Sequence, residues 1–149
     1  MLKLLVADDE RILREAVCYL IDWKSIGIEL AASCKNGREA YEEACRTKPD
    51  IILTDIKMPG LSGLDLVEKL SEPGRVLEFI LLTGYADFEY AHRALSHRVH
   101  HYLLKPCNEQ QIIEAVQQAA QSIYTRRQLQ QMEPTCAGVA RPEYSETVQ

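Results

Sequence analysis

Residues 3–10 read KLLVADDE: an apolar stretch, Leu4 to Ala7, runs directly into two aspartates and a glutamate. Aliphatic runs without polar alternation suit strands buried on both faces of a sheet. Closing such a strand with adjacent carboxylates needs a reason. Like charges side by side repel, and desolvating them is expensive unless something positive sits between them.

The pattern recurs along the chain. KLLVAD (3–8), IELAAS (28–33), DIILTD (50–55), EFILLTG (78–84) and HYLLKP (101–106) are apolar runs with helical patterns between them. Ile12, Leu13, Ala16, Val17, Leu20 and Ile21 form a stripe at helical spacing, with Gly27 as a stop. Asn36 followed by Glu39 opens a second helix, and SGLDLVEKL (62–70) and ADFEYAHRAL (86–95) supply two more. After Pro106, NEQQ (108–111) caps a fifth helix carrying Ile112, Ile113, Val116, Ala119, Ala120 and Ile123 on one side. Five strand–helix units predict a single α/β domain, a doubly wound parallel sheet with helices on both faces. In such sheets ligands bind at the carboxyl ends of the strands.

Composition narrows the class. The chain has 149 residues, 46% hydrophobic and 26% charged, as in a soluble globular domain. Its net charge of −5 argues against a direct grip on nucleic acid. No run is long enough for a membrane span, and the N-terminus turns acidic too early for a signal peptide, so the expected location is cytoplasmic. The five cysteines are scattered without a C-x-x-C pair, which points to reduced thiols. Past Ile123 the stripe fades. Residues 122–149 are expected to extend the last helix and then become a flexible linker or tail.

The polar residues collect at one edge of this expected sheet. Asp8 and Asp9 end the first strand, Asp55 the third, Thr83 the fourth and Lys105 the fifth. Three carboxylates in one crevice make a hard-oxygen cation site, better suited to Mg²⁺ than to zinc. A cation there would explain the doubled aspartate. With a lysine and a hydroxyl able to donate to phosphoryl oxygens, the set fits phosphoryl transfer. A lone strand-end aspartate is usually just a cap; five such residues in register are harder to explain structurally.

VADDE (6–10), ILTDIKMPGLSGLDL (52–66), LLTGYADFEYAHRAL (81–95) and HYLLKP resemble the receiver domain of two-component response regulators, over residues 1–121. The likeness is strongest to receivers preceding AraC-type helix-turn-helix domains, which also carry the Ile21-Asp22-Trp23 and GYADFEYA features. The resemblance implies a flavodoxin-like sheet of order 2-1-3-4-5. It implies that Asp55 is the phosphoacceptor, and that Asp8, Asp9, Asp55 and the backbone carbonyl of Lys57 hold Mg²⁺. Thr83 and Lys105 would bind the phosphoryl group, with Tyr102 as the aromatic that moves on activation and a cis bond between Lys105 and Pro106. Gly60 and Gly63 would permit the tight loop after Asp55. The partners implied are a sensor histidine kinase, a second copy of the chain on phosphorylation through the face of the fourth helix, fifth strand and fifth helix, and DNA only through another domain. The domain would be a signalling module and not an enzyme with a separate substrate.

Lys57 and Tyr85 depart from the small or amide side chains often found beside the phosphate. They either shade the acyl phosphate from water, lengthening its life, or point into solvent. Two other functions are weaker. A small-molecule phosphatase with an aspartyl nucleophile usually places it on the first strand as D-x-D, and a receiver-shaped module that is never phosphorylated needs none of the five residues. His92, His97, His100 and His101 lie too irregularly for a metal site, and Trp23 reads as a packing residue.

Overall fold

The computed structural model describes residues 1–72, 74–84, 99 and 101–139, with side chains to residue 130. Five strands form it: β1 (Leu2–Ala7), β2 (Ile28–Cys34), β3 (Ile51–Asp55), β4 (Glu78–Thr83) and β5 (His101–Leu104). All pairings are parallel and the order is β2-β1-β3-β4-β5, the doubly wound arrangement expected. Helices α1 (Arg11–Tyr19), α2 (Gly37–Thr47) and α3 (Gly63–Leu70) connect them, with a short 3₁₀ turn at Trp23–Ile26. A long C-terminal helix spans Glu109–Val139. The helix expected over 86–95 lies outside the described residues, as do Tyr85, His92, His97 and His100.

Alternate strand residues feed two cores. Leu4, Val6, Ile51, Leu53, Ile80 and Leu82 pack with Val17, Cys18, Val116, Ala119 and Ile123 on one face. Leu5, Ala7, Ile52, Phe79 and Leu81 pack with Ala40, Ala44, Leu66 and Val67 on the other. Burial on both faces explains why the strands read as continuous aliphatic runs. Each buried Leu, Ile, Val or Phe among them stabilises the fold by roughly 1.5–3 kcal/mol.

Helix starts follow the local code. Asn36 accepts from the Glu39 amide at 2.8 Å. Ser62 and Asp65 form a reciprocal capping box, and Asn108 with Gln111 exchanges the same pair of bonds at 2.9 and 2.8 Å. Gly27 closes the 3₁₀ turn in the left-handed region at φ 79°. Trp23 is buried and donates through Nε1 to the Val17 carbonyl at 3.0 Å, a packing role.

The α1 stripe needs correcting. Ile12 is 86% and Leu20 72% exposed, while Cys18, left out of the stripe, is buried. The core-facing line of α1 runs between Val17 and Cys18, and at about 100° per residue this leaves Ile12 on the far side. The C-terminal helix also continues beyond the point where its apolar stripe fades, through Pro134 to Val139.

Candidate phosphoryl-transfer site

Each polar candidate that is described sits at the carboxyl end of the sheet because its strand stops there. Asp55 is the last residue of β3 and Thr83 the last of β4; Asp8 follows β1 and Lys105 follows β5. The strand register carries on just past these ends: the Lys105 amide donates to the Thr83 carbonyl at 2.8 Å and the Ile56 amide to Leu82 at 3.1 Å. Gly63 lets the chain turn back tightly. Its amide bonds the Ile56 carbonyl at 2.8 Å, and a Cβ at this position would come within 2.4 Å of the Asp55 carbonyl oxygen. Gly60 holds φ 80° in the same loop. The Lys105–Pro106 bond is cis.

Lys105 is the hub of the charges. Its Nζ lies 3.0 Å from Asp55 Oδ2, 3.1 Å from Glu10 Oε1 and 3.7 Å from Asp8 Oδ2. One ammonium thus faces three carboxylates, with Asp9 close by. Carboxylate oxygens of Asp8, Asp9 and Asp55 lie within 4.8 Å of one another. Asp8 Oδ1 accepts the Glu10 amide at 2.9 Å, and Arg14 holds the Asp8 carbonyl at 2.8 Å. Asp8 Oδ2, though buried, has no hydrogen-bond partner among the described residues.

This imbalance sets the proton affinities of the groups. Burial, and then repulsion from Asp55 and Glu10, push the Asp8 carboxyl up to about 6 against the pull of the Glu10 amide and Lys105. Burial also raises Asp55, with Asp9 adding to it, and Lys105 only partly offsets this. For Lys105, burial works to lower the ammonium, but its bonds to Asp55 and Glu10 prevail and hold it above the ordinary lysine value. A crevice that raises its carboxylates and leaves the buried Asp8 Oδ2 with a distant ion pair and no hydrogen bond is short of positive charge. Three hard-oxygen donors that close fit a divalent cation of the magnesium type.

A cavity of ≈ 220 Å³ beside the carboxylates is lined by Asp55, Ile56, Lys57, Thr83, Gly84 and Lys105. Thr83 Oγ1 donates to the Gly84 carbonyl at 3.1 Å. Tyr102 lies half-buried on β5 against the α2–α3 core, where burial raises its phenol. The structure therefore brings together Asp8, Asp9, Asp55, Thr83 and Lys105, with Lys57 on the cavity wall. Two further residues join the site without a motif of their own: Glu10, the second partner of Lys105, and Arg14. The DDE run was the visible trace of the first; nothing local marks the second.

A profile of the response regulator receiver domain family matches residues 4–117. The chain is 48% identical over 118 residues to YesN of Bacillus subtilis (strain 168), an uncharacterized transcriptional regulatory protein, covering 79% of this chain and 32% of YesN. It is 35% identical over 112 residues to the transcriptional regulatory protein HptR of Staphylococcus aureus (strain NCTC 8325 / PS 47), covering 75% of this chain and 44% of HptR. The chain thus spans less than half the length of these relatives. Its fold is similar to the REC domain of the response regulator AraT from Geobacillus stearothermophilus, with TM-score 0.77 and 36% identity over 85% of this chain and 98% of that domain. A two-component transcriptional regulator, AraC, from Clostridium phytofermentans ISDg is similar at TM-score 0.79 and 28% identity, over 85% of this chain and 98% of that one. With the fold, the polar crevice and the sequence match in accord over most of its length, the chain belongs to the response regulator receiver domain family of two-component systems.

Proposed function

We propose that this domain accepts a phosphoryl group from a sensor histidine kinase onto Asp55 and changes its surface in response. The observation that carries this reading is the Asp55 carboxylate, held 3.0 Å from Lys105 at the rim of a cavity lined also by Thr83. An Asp55 oxygen attacks the phosphorus of a phosphohistidine; the P–N bond breaks and the imidazole leaves. Approach of a carboxylate to an anionic phosphoryl group is repulsive, and Lys105 offsets it by bonding a phosphoryl oxygen. Asp8, Asp9, Asp55 and the Lys57 carbonyl would hold Mg²⁺. When bound, this ion supplies the positive charge that the four acids lack and neutralises the transferring phosphoryl group.

Phosphorylation adds about one negative charge at this edge. Thr83 then bonds the new oxygens and Tyr102 moves into the space it vacates, altering the face around β5. The outcome proposed is self-association through that face. Because the relatives are longer transcriptional regulators, the output proposed is transcription, through a DNA-binding domain elsewhere in a longer protein. Such a protein works in the cytoplasm. Among the described residues, no helix is long and apolar enough to cross a membrane.

The test is exposure to acetyl phosphate or phosphoramidate with Mg²⁺, read by intact mass. One phosphoryl adduct is expected, lost in Asp55→Asn and lost with EDTA. Equal labelling of Asp55→Asn overturns the assignment. Lys57 and Tyr85 are proposed to shield the adduct from water for many minutes or longer; a misplaced water slows attack by about a hundredfold. Decay after removal of the donor should be faster in Lys57→Asn/Tyr85→Ala, and decay no faster than in the wild type overturns the shielding role.

A further inference from the structure

The opposite edge of the sheet carries a second charged cluster that phosphoryl transfer does not use. We infer that Glu78 and Asp50 form a clasp for the consecutive arginines Arg126 and Arg127, fixing the line along which the C-terminal helix leaves the domain. Glu78 opens β4 and is only 3% exposed. One carboxylate oxygen meets His101 Nε2 of β5 at 3.1 Å, and the other accepts from Arg126 Nη1. Asp50, just before β3, accepts from Arg127 Nη2 at 2.7 Å and from the Lys3 amide at 2.8 Å. The Asp50 carbonyl takes the Glu78 amide at 3.0 Å. Four strands are thereby stitched to two adjacent helix residues.

The placement is informative because apolar packing stops just before it. Ile123 is fully buried, whereas Tyr124 and Leu129 are 48% and 60% exposed. A cavity of ≈ 500 Å³ separates this stretch from the end of α3, lined by Leu70, Arg75, Phe79, Gln121 and Thr125 among others. Past Ile123, polar pairing and not close packing holds the helix to the sheet. A buried carboxylate is expensive unless paired and hydrogen-bonded, and Glu78 is both. Burial by itself would raise its carboxyl; His101 and Arg126 outweigh that and hold it below the usual range. The turns of this helix just past Ile123 are therefore held to the sheet by these pairs.

Amide hydrogen exchange across residues 124–130 of this chain tests the clasp. The Arg126 and Arg127 side chains are 45% and 44% exposed, so Arg126→Glu/Arg127→Glu leaves the core untouched. Exchange in this segment should quicken by about tenfold, while β1 and β3 amides stay within about threefold of wild type. If the reversal unfolds the chain, Arg126→Gln/Arg127→Gln reads the same quantity. Glu78→Gln, which keeps the side chain's shape, should quicken the segment in the same direction. Segment exchange unchanged in the arginine variants overturns the clasp. So does equal acceleration by Arg38→Glu, which changes net charge at the 83% exposed Arg38 on α2.

Discussion

The two edges of this sheet hold comparable numbers of charged groups and treat them in opposite ways. At the carboxyl edge, Asp8, Asp55 and Glu10 share Lys105, and both buried acids titrate high, Asp8 at about 6. At the amino edge, Glu78 has His101 and Arg126, Asp50 has Arg127, and Glu78 titrates low. Matched charge fastens the chain to itself. Unmatched charge is a deficit that only something from outside can fill. Buried carboxylates thus mark function only when their partners are counted.

The largest expected difference between the edges is in phosphoryl acceptance. Lys105→Ala should slow labelling by small-molecule phosphodonors by about a hundredfold or more, since it removes a cation aimed at developing charge. Glu78→Gln should label at the wild-type rate. Time courses of intact mass compare the two, and a slowed Glu78→Gln would erase the functional distinction between the edges.

Stability should move in opposite directions. Without divalent metal at pH 7, Asp8→Asn should stabilise the domain by roughly 1–3 kcal/mol, because it removes a buried charge held against its preference while an amide still accepts the Glu10 bond. The sign follows from the raised folded value. Between 3.8 and about 6 the folded state binds more protons at Asp8 than the unfolded chain, so this contribution grows as pH falls from 7 to 4. Asp8→Asn should flatten that trend in urea titrations. Added Mg²⁺ should stabilise the wild type more than the variant.

The smallest effect is expected at Glu78. Glu78→Gln should destabilise by about 1 kcal/mol at pH 7, a modest value because the half-exposed Arg126 can turn to water. Its folded carboxyl lies below the ordinary 4.5, so this stabilisation is present above that value and lost as pH falls through the lowered one. Thermal melts at pH 7 and 4 read both acids. A stabilising Glu78→Gln would show the amino edge to be as unbalanced as the carboxyl edge.

Much of this was legible in the chain itself. Aliphatic runs bounded by caps specify strands buried on both faces, and strand ends in a parallel sheet must share an edge. Asp8, Asp55, Thr83 and Lys105 could therefore be grouped from their positions in the chain. These signals are local, depending on period and capping over a few residues. Tertiary structure alone decided which side of α1 faces the core, because Ile12 and Val17 are equally apolar and only contact with the sheet chooses between them. It alone paired Glu78 with His101 and Arg126, which lie 23 and 48 residues away. No periodicity encodes such a distance. Charge balance is a sum over neighbours in space, so the sequence determined where the carboxylates stand, and the fold decided which of them are satisfied.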